Sequence, residues 1–247
     1  FQIYNRELSP EEIRAHYYRF SKVEAEGKTI IGVPDIQKLP EVNADITDRK
    51  WENCFIHNTF FDHKSLMTSA LNGTFYALGY TRDYLYIGIR ESLNKRIPVS
   101  IARNRDGETY RDDSWEIYLS TTPDGNYRHY VVNANGSVYD GIGRDSRWNG
   151  NAKTAVRVTE NALFLEIAIP AKDLGLERFE KGLALYFNLA KNLCGTNGGR
   201  KHFAITPTCG NFHNFKQYAE LKLLDPSSAV KVSLNDVAND NTVRMEL

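Results

Sequence analysis

The feature that most limits this chain is a period of two. From about Trp51 to Leu224, apolar and polar residues alternate in short runs broken by turn residues. Alternating side chains along a strand point to opposite faces of a sheet. The clearest run is Ser114-Trp115-Glu116-Ile117-Tyr118-Leu119, where Trp115, Ile117 and Leu119 share one face while Glu116 and Tyr118 share the other. Runs at 74–80 and 84–90 enclose the short turn Thr81-Arg82-Asp83 and predict a hairpin. Further strands are predicted at 128–134, 137–142, 153–159, 163–169, 183–191, 201–205 and 217–224. Residues 170–175 read as a helical turn opened by Pro170 and stopped by Gly175. Many short strands with little helix predict an all-β fold, an antiparallel β-sandwich with a short N-terminal helix.

That helix follows Ser9, a natural N-cap, with Pro10 at its first position and Glu12 completing a capping box. Residues 21–50 are polar and irregular, punctuated by Gly32, Pro34 and Pro40. Asp225-Pro226-Ser227-Ser228 reads as a linker, after which Val230, Val232 and Leu234 alternate as if opening another strand. The expected organisation is a tail at 1–22, a sandwich over 23–225, and a linker with the start of a following segment at 226–247. Both ends read as cut from a longer polypeptide with neighbouring domains.

Totals remove several function classes. Thirty-one basic and thirty-one acidic side chains give a formal net charge of zero, so no global field draws the chain to nucleic acid or an anionic membrane. No apolar run approaches the roughly 20 residues that cross a bilayer. Fourteen Tyr and twelve Phe against two Met favour sheets over helical bundles. Cys54, Cys194 and Cys209 lack the C-x-x-C spacing of a zinc site. Cys194 and Cys209 bracket one predicted strand. A bridge between them would fit an oxidising compartment, and free thiols are the alternative. His57, His63, His129, His202 and His213 show neither H-E-x-x-H nor triad spacing. Glu116 with Asp112 or Asp113 can be cast as a carboxylate pair, but acidic residues flanking a strand are common and no second strand supplies an inward partner, so no enzyme is expected. Met67 is the only central Met, a poor basis for haem ligation.

The front of the 114–120 strand points to other chemistry. A carboxylate accepts hydrogen bonds from hydroxyls, and Tyr110, six residues ahead of Glu116, offers a flat apolar ring. A sugar presents C–H bonds on one face and hydroxyls around its edge, so it needs both. Desolvating the ring face yields about 25 cal/mol per Å², and each hydrogen bond nets about 0.5–1.5 kcal/mol.

Two resemblances sharpen this reading. Ile3-Tyr4-Asn5-Arg6-Glu7-Leu8-Ser9-Pro10-Glu11-Glu12-Ile13 is similar to the closing segment of a laminin-G-like (concanavalin A-like) jelly roll. Residues 51–224 resemble family 9 carbohydrate-binding modules and the wider DOMON-like sandwiches. The landmarks, in order, are Trp51 after an Asp-rich turn, Leu85-Tyr86-Ile87, Leu93-Asn94-Lys95, Asp113-Ser114-Trp115-Glu116-Ile117-Tyr118-Leu119, and His129-Tyr130-Val131-Val132-Asn133. Leu165-Glu166-Ile167-Ala168-Ile169-Pro170, Gly182 to Asn188, and Tyr218-Ala219-Glu220-Leu221-Lys222-Leu223 follow. The resemblance implies a non-catalytic, extracellular module that binds carbohydrate, beside a glycan-active partner in the same polypeptide. It places the stacking aromatics at Tyr110 and Phe212 and the hydroxyl acceptor at Glu116. Asn211, Lys191, Asn192 and His129 are the implied polar contacts. Glu91, just ahead of the Leu93-Asn94-Lys95 triplet, is the carboxylate matching a structural calcium site. Tyr and Phe stand where the family has Trp, and Val131 stands where it has Arg. The rival expectation is a structural or protein-interaction spacer that kept the sandwich and lost the ligand.

Overall fold

The computed structural model describes residues 29–37, 41–46, 51, 54–63, 68–69, 71, 73–194 and 199–224. The segment expected to form a laminin-G-like tail and a helix, the segment after 224 and Met67 lie outside the described residues.

Two sheets face each other, as the period of two requires. The larger has nine strands. Its main path runs β4 (Thr68–Ser69), β3 (Phe60–Asp62), β13 (Arg200–Ala204), β12 (Ala184–Cys194), β7 (Ser114–Ser120), β8 (Arg128–Asn133) and β9 (Val138–Ile142). β14 (Ala219–Leu224) pairs with the first half of β12, and β1 (Ile30–Pro34) runs parallel to β14. The second sheet has the order β10 (Lys153–Val158), β11 (Ala162–Pro170), β6 (Tyr84–Ser92), β5 (Phe75–Tyr80) and β2 (Ile56–His57).

Between the sheets lies the main core, built from the inward parity of each strand: Leu85, Ile87 and Ile89 of β6, Trp115, Ile117 and Leu119 of β7, and Leu185, Phe187 and Leu189 of β12. The outer face of the smaller sheet is covered in turn. Trp51 lies against it beside Ala77, Tyr86 and Ala168, and its indole N–H donates to the Glu166 carboxylate at 2.9 Å. This contact demands glycine at 88, because a Cβ there would meet the Trp51 ring at 2.7 Å. The turn at 171–174 is a single 3-10 turn, and Gly175 stops it in the left-handed region at φ 72°.

The strands predicted between 74 and 224 are all present, with ends shifted by no more than a few residues. Sequence reading missed β1. Gly32 and Pro34 weaken its propensity, and its pairing to β14 spans most of the chain, so nothing local announces it. Cys194 and Cys209 are both free thiols, not a bridge. Each sulfur sits against a backbone carbonyl, of Arg111 and Pro207 respectively.

Candidate functional site

The outer face of the larger sheet carries the feature of interest. β7 sends Glu116 and Tyr118 outward, and the neighbouring strands align with them. Ala190 of β12 and Val131 of β8 flank Glu116, and Tyr139 of β9 lies beyond Val131. One step along, His129 pairs with Tyr118. Ala190 and Val131 are short, so the sheet stays low around the carboxylate while taller groups stand about it. The result is an open cleft of about 600 Å³, within the roughly 300–1,000 Å³ typical of small-molecule sites.

Glu116 forms the floor. It is 5 % exposed, and one of its oxygens accepts from the Tyr118 hydroxyl and from His129 Nε2, the latter at 2.7 Å. The other accepts from Asn192 Nδ2 at 2.5 Å. Burial works to raise its pKa. The His129 hydrogen bond and charge, with the Tyr118 and Asn192 donors, outweigh burial and hold it at about 2. Glu116 is therefore a carboxylate at any physiological pH. A carboxylate offers about four lone-pair sites, so three donors leave acceptor capacity on the oxygen that Asn192 shares.

Rigid supports hold this acid. His129 stacks on Tyr118 with centroids 4.4 Å apart and planes 11° from parallel. Tyr118 in turn packs against Tyr127 and Tyr218. Asn192 bridges Glu116 and His202, whose Nδ1 lies 2.8 Å from Asn192 Oδ1. His213 packs edge-on to His129. Burial, then the positive charges of His129 and Arg144, push its pKa down to about 4, so it is neutral at pH 7.

Six of the residues singled out in the sequence meet at this cleft: Tyr110, Glu116, His129, Asn192, Asn211 and Phe212. Their parts differ. Tyr110, from the 3-10 turn Thr109–Arg111, is 45 % exposed and stands at the rim. Phe212 is only 9 % exposed, with its ring held edge-on by His63 at 4.4 Å and by His202 at 5.9 Å. It forms wall more than platform. Asn211 is exposed and uses its Oδ1 on the backbone N–H of His213, leaving Nδ2 as a donor. Asn192 spends its amide on Glu116, Ser114 and His202, so it orients the acid.

Two residues go elsewhere. Lys191 neighbours Asn192 in one strand, so the two cannot share a face. It lies opposite Trp115 and turns inward, 1 % exposed at the side chain, with Nζ 2.7 Å from Glu91 and 5.3 Å above the Trp115 ring. Nζ meets Glu91 as an ion pair more than as a well-aligned hydrogen bond. Glu91 accepts as well from Trp115 Nε1 at 3.0 Å and from Arg96 at 3.2 Å, and Arg96 also grips Asp113 at 2.6 Å. Calcium needs roughly six to eight oxygens. Glu91 is already met by an ammonium, a guanidinium and an indole N–H, so this donor set does not fit a calcium ion. Among the described residues no group of three or more His, Cys, Asp or Glu side chains is placed to hold a metal.

A profile of the family described as carbohydrate family 9 binding domain-like matches residues 42–225, more than half of the chain. The chain belongs to this family. Solved structures agree on the fold. A family 9 carbohydrate-binding module from Caldicellulosiruptor kristjanssonii in complex with cellotriose matches with a TM-score of 0.60 at 20 % identity, covering 83 % of this chain and 99 % of that one. A glucose complex of a family 9 module from the same organism matches with a TM-score of 0.60 at 19 % identity, covering 83 % and 100 %. A Bacteroides uniformis protein matches with a TM-score of 0.65 at 12 % identity, covering 80 % and 100 %. A search of curated proteins finds no match.

As a family 9 domain, the chain builds its cleft from more than the sequence reading named. Tyr118 was within reach, since it shares parity with Glu116. Tyr139, Arg144, His63, His202 and His213 also line the cleft. His213 adjoins Phe212 in sequence, but nothing local sets Arg144 or Tyr139 beside Glu116.

Proposed function

We propose that this domain binds a saccharide in the cleft above Glu116 and performs no chemistry on it. One observation carries the reading: a buried carboxylate, held ionised by three donors, keeps acceptor capacity facing an open cleft rimmed by the exposed ring of Tyr110. A sugar hydroxyl would donate to Glu116 while a C–H face rests on Tyr110. Asn211 Nδ2 is a candidate donor to a ring or hydroxyl oxygen. The family's carbohydrate binding, and the cellotriose and glucose held by the Caldicellulosiruptor kristjanssonii modules, support this class of ligand. Grip from one good ring and a few hydrogen bonds corresponds to affinities of about micromolar to millimolar. The same reading makes the domain an extracellular module that holds a glycan-active neighbour in its polypeptide near substrate.

Calorimetric titration with glucose, xylose, galactose and cellotriose tests it. Binding of at least one ligand, abolished by Glu116→Ala in a protein whose circular dichroism is unchanged, is the expected result. A flat response to all of them in the wild type would overturn the proposal and favour a spacer, a reading that the covered ring of Phe212 already leans toward.

A further inference from the structure

The cleft is rich in cations for a chain of zero net charge. Among the described residues Glu116 is the only acid that lines it, and that acid already faces His129, Tyr118 and Asn192. Two arginines, Arg144 and Arg200, line it too, both exposed, and among the described residues neither pairs with a carboxylate. Arg200 donates at 2.6 Å to the backbone carbonyl of Tyr110, a neutral acceptor. Two nearby acids are committed to other arginines. Asp145, next to Arg144, pairs with Arg147 at 2.5 Å, and Glu108, close to Tyr110, pairs with Arg111 at 3.0 Å. The walls thus leave two guanidinium forks without a carboxylate of their own, over a single carboxylate that three donors already engage.

Granted the saccharide reading, on which this rests, we infer that the cleft selects an acidic saccharide, one whose bound unit carries a carboxylate as a hexuronate does. A planar carboxylate matches the guanidinium fork in shape and charge. It would sit at the rim, with the neutral hydroxyls of the same ring directed to Glu116. A neutral sugar fills the floor equally well but leaves both arginines to water.

Glucose and glucuronate differ only at C6, so their titration side by side separates the two claims. Glucuronate should bind about tenfold tighter, the size of one charge-assisted hydrogen-bond pair. That preference should shrink as ionic strength rises. Arg144→Gln should bring the glucuronate-to-glucose ratio down toward one, and Arg144→Lys should restore only part of it. Equal binding of the two sugars, or a preference for glucose, would overturn the acidic-ligand inference and leave the saccharide reading standing. Equal loss of both sugars in Arg144→Gln would overturn it as well, since it would assign Arg144 to shaping the cleft. Failure of the wild type to bind either sugar would bring down both.

Discussion

Glu91 and Glu116 are two carboxylates buried to nearly the same degree, at 3 % and 5 % exposure, and they lead to opposite ends. Consecutive residues of β7 serve them: Trp115 points inward and donates its indole N–H to Glu91, while Glu116 itself points outward. Glu91 is closed off by cations of its own chain, Lys191 and Arg96. Glu116 has one histidine, one phenol and one amide, and beyond them an open cleft. Burial does not distinguish a structural acid from a binding acid. What distinguishes them is charge: three groups reach each acid, but two of those on Glu91 are cations of its own chain, whereas Glu116 faces one histidine and two neutral donors.

The largest test of this contrast acts on the closed side. Lys191→Met leaves Glu91 and Asp113 with Arg96 as their only cation, and unpairing a buried charge costs about 3–5 kcal/mol. Denaturant unfolding should show a loss of that order. A loss below ~1 kcal/mol would mean that Arg96 suffices and that Glu91 is less enclosed than its contacts indicate.

On the open side, pH sharpens the comparison. The folded pKa of Glu116 is lowered from 4.5 to about 2. The unfolded chain therefore takes up its proton first, and the stability this carboxylate contributes is present above pH ~4.5 and is lost as pH falls toward ~2. His213 acts in a higher window. Its pKa is lowered from 6.5 to about 4, so the unfolded imidazole protonates first and stability falls as pH drops from ~6.5 to ~4. Unfolding midpoints measured across this range should flatten below pH ~4.5 in Glu116→Gln and between pH ~6.5 and ~4 in His213→Gln. An unchanged profile in either variant would remove the corresponding group from the cleft's electrostatics.

The smallest effect belongs to the rim. Tyr110 is half out of the protein, so Tyr110→Ala should leave stability within about 0.5 kcal/mol. The same change should weaken saccharide binding by about 0.5–1.5 kcal/mol, a stacking-sized loss. Calorimetry beside thermal melts checks both. A stability loss without an affinity loss would make Tyr110 a cover for the sheet edge.

Much of the fold was legible because strand parity is a local property. The 114–120 run gave its own boundaries and sorted Trp115 from Glu116 without any knowledge of neighbours. The same rule should have separated Lys191 from Asn192, and the resemblance to family motifs overrode it. Other parts of the site were not local. Arg144 and Tyr139 join Glu116 in one cleft only through the register of β8 and β9, and Phe212 is flanked by His202 of the preceding strand and by His63 from a distant segment. Composition cannot announce such contacts. Nor could it show that Lys191 and Arg96 would pair with Glu91 and set two cations where calcium was expected.

The floor of the cleft is sheet, while most of its walls hang from connections: Tyr110 ahead of β7, Arg144 after β9, and Asn211 to His213 between β13 and β14. Those connections can be rewritten without disturbing a single ladder hydrogen bond. A lineage could therefore change the rim by editing these loops while inheriting the same acid and the same cluster of tyrosines beneath it.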